Sequence, residues 1–324
     1  MEPAAPFSPD PLGYHQALPL KQRFYPLGCA VDLSTNSPGV LETARARWSG
    51  HDPVFDEHPV AFSVVVAPGD AVTQPPVPRF RARDHLVVLV ADSAHFGCCD
   101  LAASAVACWV ADDTARKSAY LGYHYLDPLI LLLLSNRYFT PIHAGCVARN
   151  GRGVLLSGGE SAGKSCLSYA CARAGWTLIS DDAGYMIRDD PNQRIFGRPR
   201  FLRFEFSAER LFPELRGLLA VEAAKGADVA NIDSNLLPGI ETATECRAEA
   251  VVFLERQTGM TAMLTAVDEG DALDRLLAEL PIATQATRAA QVASLRKLLQ
   301  KGAYRLKYDQ PEDAAAKLGS LVRN

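Results

Sequence analysis

The sequence predicts an α/β domain built around a phosphate-binding loop, with a small α+β domain before it. The apolar strand Val154–Leu156 runs directly into Gly158-x-x-x-x-Gly163-Lys164-Ser165, a helical pattern covers residues 164–174, and a second strand covers residues 176–180. A loop of that spacing between a strand and a helix cradles phosphate at the helix N-terminus. Strand, helix and strand together span about thirty residues, which is the size of a right-handed parallel crossover.

The residue types in this loop suit the polyphosphate of a nucleotide. Its glycines permit positive φ and a close approach of backbone N–H groups to an anion. Lys164 would reach the β and γ phosphates, and the Ser165 hydroxyl would ligate Mg²⁺. ATP and Mg²⁺ are therefore the predicted cofactors; the alternatives are a glycine-rich turn that only caps the helix, and Ser165 as a plain N-terminal cap. The predicted nucleotide-binding residues are Gly158, Gly159, Glu160, Ser161, Ala162, Gly163, Lys164, Ser165 and Cys166.

Two adjacent carboxylates follow the strand after the loop helix. Asp181 and Asp182 come directly after the strand at residues 176–180, and ligands of open α/β sheets bind beyond the carboxyl ends of the strands. We expect one carboxylate to hold Mg²⁺, directly or through water, and the other to accept a proton from an incoming hydroxyl. The alternative is that both aspartates only begin a turn.

The rest of the chain divides into a tail and two domains. Five prolines among the first nineteen residues predict a disordered tail over residues 1–22. We predict an N-terminal α+β domain over residues 23–125 and the phosphate-loop domain over residues 126–324. In the first domain, a proline after a capping serine predicts a helix over residues 38–48, and an apolar stretch predicts a strand over residues 80–90.

The composition limits the classes of binding partner and the cellular compartment that we expect for this protein. The net charge of −4 and the lack of a basic, aromatic stripe argue against nucleic acid as a partner. The longest apolar run, Pro128–Leu134, is far shorter than the ~20 residues of a membrane span, and the segment Met1–Leu20 lacks the apolar core of a secretory signal. The eight cysteines have no zinc-type spacing and are expected to be reduced. We therefore expect a cytoplasmic protein without a membrane partner.

A histidine, the glycine-rich loop and the aspartate pair recur at fixed intervals. Gly158 lies fifteen residues after His143, and Asp181-Asp182 begins seventeen residues after Lys164. These intervals are those of the HPr kinase/phosphorylase family, bacterial enzymes that phosphorylate a serine of a carrier protein, and the sequence resembles that family over about forty residues. The resemblance implies a P-loop kinase fold of the HPr kinase/PEP carboxykinase type.

The resemblance also implies roles for individual residues. Asp182 would be the base that activates the acceptor hydroxyl, Asp181 would assist it and the metal, and His143 would lie near the transferred phosphate. Glu205 is the candidate for a glutamate that the family uses beyond the aspartates, with a solvent-facing strand glutamate as the equal alternative. The implied catalytic residues are Asp182, Asp181, His143 and Lys164, and the implied metal ligands are Ser165, Asp181 and Glu205.

These observations favour an ATP- and Mg²⁺-dependent kinase that transfers the γ-phosphate to a hydroxyl, with a serine of a protein or peptide as the favoured acceptor. The alternatives are a small-molecule kinase on the same core, and a nucleotide-binding sensor or scaffold without phosphotransfer. Cys166 departs from the polar residue usual in the family, and residues 23–125 do not resemble its N-terminal domain. The expected partners are a nucleotide and the hydroxyl acceptor, and a homo-oligomer remains open.

Four arginines follow the predicted active-site strand, at positions 194, 198, 200 and 203. Guanidinium groups bind oxyanions well, so these residues could clamp phosphate or an acidic acceptor. The alternative is that they belong to a solvated strand and loop.

Overall fold

The structure is a computed structural model that describes residues 16–68, 77–159, 161–224 and 228–322. The chain divides into two compact units, Met1–Arg137 and Tyr138–Asn324. Glu160 and most of the predicted tail lie outside the described residues. Within the described ranges, no helix is both long and apolar enough to cross a bilayer.

The first unit has a sheet with short helices. Its strands are β1 (Leu20–Phe24), β2 (Val31–Thr35), β3 (Val60–Ala67), β4 (Arg79–Arg83), β5 (Leu86–Val90), β6 (Phe96–Asp100) and β7 (Ala105–Ala111), and its helices are α1 (Pro38–Trp48), α2 (Asp112–Arg116), α3 (Ser118–Leu121) and α4 (Asp127–Arg137). The strand order is β1-β2-β3-β7-β6-β5-β4. Strands β2, β3 and β7 run parallel, and the remaining neighbours pair antiparallel.

Local signals predicted α1 correctly and one strand incorrectly. Helix α1 has the predicted bounds, with Pro38 in its first turn. The predicted strand over residues 80–90 is wrong, because the chain reverses there and forms the antiparallel pair β4–β5. Asp84 takes a positive φ of 55° at the reversal, a conformation that aspartate tolerates better than most residues.

The limits of the first unit differ from the predicted segment limits. Strand β1 begins at Leu20, inside the segment predicted as a tail. Helix α4 lies in the first unit although it follows residue 125. Its Leu129 side chain packs so closely over Gly97 of β6 that a Cβ there would lie 2.8 Å from Leu129 Cδ1.

The second unit has more strands and longer helices. Its strands are β8 (Phe139–Ile142), β9 (Ala144–Arg149), β10 (Arg152–Ser157), β11 (Thr177–Ser180), β12 (Gly184–Ile187), β13 (Arg194–Phe196), β14 (Phe201–Phe204), β15 (Ala230–Asp233), β16 (Glu241–Thr242), β17 (Glu245–Arg256), β18 (Met263–Ala266) and β19 (Ala303–Tyr308). Its helices are α5 (Lys164–Arg173), α6 (Arg216–Ala224), α7 (Glu269–Ala278), α8 (Gln285–Leu299) and α9 (Pro311–Leu318).

The main sheet of this unit brings several chain segments to one edge. Its order is β16-β11-β9-β10-β17-β13-β12-β8, and β19 joins the second half of β17. Strand β9 pairs antiparallel with both β10 and β11. Because β9 runs opposite to both neighbours, β10 and β11 run parallel, and β9 begins at the edge where they end. Strands β17 and β19 run parallel to β10 and end at the same edge.

Apolar side chains cover both faces of this sheet. Along β10, Val154 and Leu156 join one buried cluster with Leu167 of α5 and Leu318 of α9. Leu155, which points to the opposite face, joins a second cluster formed with α7 and α8. The alternation follows the period of two in a strand, and a strand covered on both faces is apolar throughout.

Replacing Gly197 with alanine is expected to lower the free energy of unfolding by about 1–3 kcal/mol, because the added methyl overpacks a filled space. An ideal Cβ would lie 2.1 Å from the carbonyl oxygen of Ile179 in β11, so backbone would have to move. Chemical denaturation followed by circular dichroism measures the change.

Gly217→Ala in α6 is the matched control, since a Cβ there meets no atom within 4 Å. Alanine is the better helix former, so this control should be unchanged or more stable by up to about 1 kcal/mol. Equal stability of Gly197→Ala and wild type would contradict the close approach of Gly197 to Ile179 in β11.

Candidate functional site

The loop between β10 and α5 has a shape that depends on glycine. Gly163 precedes α5 with a φ of 91°. A Cβ on Gly163 would lie only 2.5 Å from the Tyr308 hydroxyl. That hydroxyl donates a hydrogen bond of 3.1 Å to the carbonyl oxygen of Ala162. Tyr308 of β19 therefore packs against the loop and leaves no room for a side chain at position 163.

The Lys164 ammonium group lies along the same loop. Its Nζ atom donates to the carbonyl oxygens of Gly158, at 2.8 Å, and Gly159, at 3.2 Å. Cys166, in the first turn of α5, is half-buried, and burial raises the pKa of its thiol to about 11. The thiol is therefore neutral near pH 7, which leaves Lys164 as the charged side chain of the helix start.

Asp181 is buried against the start of α5. Its Oδ2 atom accepts hydrogen bonds from the Ser165 hydroxyl, at 2.9 Å, and from the backbone N–H of Arg203, at 2.8 Å. Only 6% of the residue is exposed. Burial raises the pKa of Asp181 to about 7, although both hydrogen bonds oppose the shift. Its other oxygen, Oδ1, is buried without a hydrogen-bond partner among the described residues.

The unpartnered Oδ1 atom of Asp181 and the neighbouring Ser165 hydroxyl fit a magnesium ion. Mg²⁺ takes hard oxygen ligands and keeps several waters, so one carboxylate, one hydroxyl and substrate phosphates are sufficient. A cluster of three or more His, Cys, Asp or Glu side chains suited to a metal does not occur in the described residues. The protein oxygens that could hold the ion are therefore those of Asp181 and Ser165.

Glu205 contacts the phosphate loop itself. Its Oε1 atom accepts a hydrogen bond of 2.7 Å from Ser161, whose backbone has a positive φ of 60°. Its Oε2 atom accepts a longer bond, 3.4 Å, from Ser207. The carboxylate lies at the N-terminal end of a short 3-10 helix, Phe206–Arg210. Glu205 therefore lies just after β14, is exposed, and contacts the loop through Ser161.

Asp182 is exposed, whereas Asp181 is buried. The side chain of Asp182 is 68% exposed, and its Oδ1 atom lies 3.1 Å from Nε2 of His143. This hydrogen bond lowers the pKa of Asp182, with further contributions from the charges of Lys164 and Arg203. Asp182 is therefore an ionised carboxylate open to solvent, and its neighbour is a buried carboxyl with a raised pKa.

His143 has a second acidic neighbour that the sequence did not indicate. Its Nδ1 atom lies 3.2 Å from Oε2 of Glu279, which follows α7 and is 136 residues away along the chain. No motif marks Glu279, because it follows an amphipathic helix whose pattern signals only packing. The structure therefore places His143 between two carboxylates.

The four arginines predicted as a group have different environments. Arg194 pairs with Asp190 at 2.9 Å, and Arg200 pairs with Asp233 at 3.3 Å. Arg203 is the member tied to the aspartates, since its N–H donates to Asp181 and its side chain is exposed. Arg194 and Arg200 thus have carboxylate partners away from the aspartate pair, whereas Arg203 lies beside Asp181.

The comparisons with known proteins include a weak structural likeness. No protein-family model and no curated protein matches the sequence. A solved structure, the HPr(Ser) kinase/phosphatase from Coxiella burnetii, aligns with a TM-score of 0.31 and 14% identity. The alignment covers 57% of this chain and 88% of that one. A likeness at this level carries no argument about function, so the proposals below rest on the geometry of the site.

Asp181→Asn is expected to stabilise the metal-free protein above pH 7 and to lose this advantage as the pH falls toward 4. A carboxyl with a raised pKa contributes stability while protonated and loses that contribution as the pH rises through about 7. The gain at high pH should amount to several degrees in Tm, because 1 kcal/mol corresponds to roughly 2–4 °C in a domain of this size. Thermal melts between pH 4 and 8 in EDTA measure it.

Asp182→Asn is the matched control, with the opposite sign. The pKa of Asp182 is lowered, so its contribution is present at neutral pH and lost as the pH falls. This variant should be slightly less stable than wild type at pH 7 and equal to it in acid. Parallel melting profiles of the two variants would contradict the opposite environments of the two aspartates.

Proposed function

We propose that this chain is an ATP- and Mg²⁺-dependent kinase that transfers the γ-phosphate to a serine hydroxyl of a protein or peptide. One observation carries the proposal. The loop residue Ser165 is hydrogen-bonded to Asp181, and the adjacent Asp182 is ionised and exposed at the same edge of the sheet. Phosphoryl transfer depends mainly on positioning and charge neutralisation, and these groups supply both beside a base.

The loop would hold the nucleotide through its backbone. The N–H groups of residues 158–166 and the N-terminus of α5 would surround the β and γ phosphates. Lys164 would exchange its carbonyl partners for phosphate oxygens. Bound Mg²⁺ would neutralise charge on those oxygens, with Asp181 and Ser165 as its protein ligands. We also propose Glu205 as a ligand, because its contact with Ser161 keeps a carboxylate beside the loop.

Asp182 would act as the base. Its ionised carboxylate would accept the proton of the serine hydroxyl as the new O–P bond forms and the bond between the γ-phosphorus and the β–γ bridging oxygen breaks. ADP leaves with the bridging oxygen, and the proton stays on Asp182 until it passes to solvent. His143, hydrogen-bonded to Asp182, would hold the carboxylate in place beside the transferred group.

The exposure of Asp182 supports a macromolecular acceptor. Sites for small molecules bury most of the ligand surface in a concave pocket. A base that is 68% exposed is instead accessible to a side chain carried on another protein or peptide. ATP, Mg²⁺ and such acceptors occur together in the cytoplasm, which is the compartment we propose.

Asp182→Asn is expected to reduce phosphoryl transfer at least ~10²-fold while nucleotide affinity changes little, because general-base catalysis contributes on that scale. Asp189→Asn is the matched control, since Asp189 is an exposed carboxylate after the next strand and its positive φ of 62° suits asparagine. Transfer of label from γ-phosphate-labelled ATP and binding of a fluorescent ATP analogue measure the two quantities. Full transfer by Asp182→Asn would refute the assignment of the base.

Labelling a fractionated cell extract identifies the acceptor class. Label that enters protein or peptide with wild type and the Asp189→Asn control, and disappears with Asp182→Asn, supports the proposal. If label enters only small molecules, the acceptor is a small-molecule hydroxyl and not a serine of a protein or peptide. Nucleotide binding without any transfer would favour a nucleotide-binding sensor or scaffold.

A further inference from the structure

Both ring nitrogens of His143 face carboxylate oxygens. Nε2 lies 3.1 Å from Asp182 Oδ1, and Nδ1 lies 3.2 Å from Glu279 Oε2. An ionised carboxylate can only accept hydrogen bonds, and a neutral imidazole donates from one nitrogen. Two carboxylate partners are therefore satisfied together only by an imidazolium ring, which donates from both nitrogens.

The surrounding charges favour the same protonation state. Three charged groups face the ring, namely Asp182 after β11, Glu279 after α7 and Lys164 at the start of α5. The pKa of His143 is raised, chiefly by the hydrogen bond to Asp182 and further by the one to Glu279, while burial and the Lys164 charge oppose the shift. A raised pKa extends the charged state of the ring to higher pH, and the charge is lost as the pH rises through the pKa.

The two carboxylates differ in what happens to them during transfer. In the proposed reaction Asp182 accepts the acceptor proton and so loses its negative charge. Glu279 contacts the opposite nitrogen of the ring, and among the described residues His143 is the side chain that its carboxylate contacts. Glu279 takes no part in the proton transfer to Asp182, so its contact with Nδ1 still holds the ring when the phosphoryl group moves.

Helix packing holds Glu279 in this position. Leu273 and Leu276 of α7 are buried in the core, so the end of the helix is fixed. Arg288 of α8 donates to the carbonyl oxygen of Pro281, which anchors the connection just after Glu279. The Glu279 side chain itself is 55% exposed, so its replacement removes no core contact.

We propose that Glu279 is a positioning residue that holds His143 by Nδ1 as an imidazolium, with Nε2–H directed at Asp182 and at the phosphoryl group in transfer. The role in transfer rests on the proposed kinase function. The orientation and charge of His143 do not, since they follow from contacts present without nucleotide.

The test of orientation uses the full chain without nucleotide. NMR of the His143 ring nitrogens, followed against pH, is compared for wild type, Glu279→Gln and the control Asp274→Asn, an exposed carboxylate on the same helix. In Glu279→Gln we expect the His143 ring to become neutral at a lower pH than in wild type. Between the titration midpoints of the two proteins, the variant should lack the Nδ1–H signal that wild type still shows. The control should titrate as wild type does. An unchanged His143 titration in Glu279→Gln would overturn the inference.

The test of the role in transfer is the pH profile of kcat. In Glu279→Gln the alkaline fall of kcat should begin at a lower pH than in wild type, because His143 loses its proton earlier. Between the two alkaline limbs, the ratio of variant to wild-type kcat should fall by up to about tenfold per pH unit. KM for ATP should stay constant, because Glu279 does not touch the loop. A uniform loss of kcat at all pH values would overturn the positioning role. An altered NMR titration in a protein that transfers no phosphate would support Glu279 as the group that orients His143 and refute the kinase function separately.

Discussion

The position of β9 between β10 and β11 brings His143, the glycine-rich loop and the aspartate pair to one edge of the sheet. Because β9 runs antiparallel to both neighbours, it begins where they end. His143 precedes β9, the phosphate loop follows β10 and the aspartate pair follows β11. Three consecutive segments of the chain therefore reach the same edge of the sheet. Hydrogen bonding within the sheet is what assembles the site.

The two aspartates have different environments although they are adjacent along the chain. Both lie in a bend directly after β11. Asp181 points inward, toward Ser165 and the start of α5, and Asp182 points outward, toward His143 and solvent. One dipeptide thus provides one buried carboxyl group and one carboxylate that is exposed to solvent.

The sequence revealed the local parts of the site but not the contacts between distant parts. The loop and the aspartates were predicted because glycine spacing and strand ends are short-range patterns, and α1 was predicted from a proline at its start. The hairpin β4–β5 was missed, because an aspartate at a positive φ is a weaker turn signal than glycine. Glu279 and the contact of Glu205 with Ser161 were missed, because each joins residues from different elements and depends on how those elements pack.

The hydrogen bond from Tyr308 to Ala162 joins two residues that are 146 positions apart. Tyr308 lies on the last strand of the unit, is fully buried, and fills the space beside Gly163. During synthesis the glycine-rich segment leaves the ribosome long before this strand exists, so the contact that fills the space beside Gly163 is among the last in the unit to form. A growing chain therefore completes most of the described part of its second unit before the loop acquires this contact.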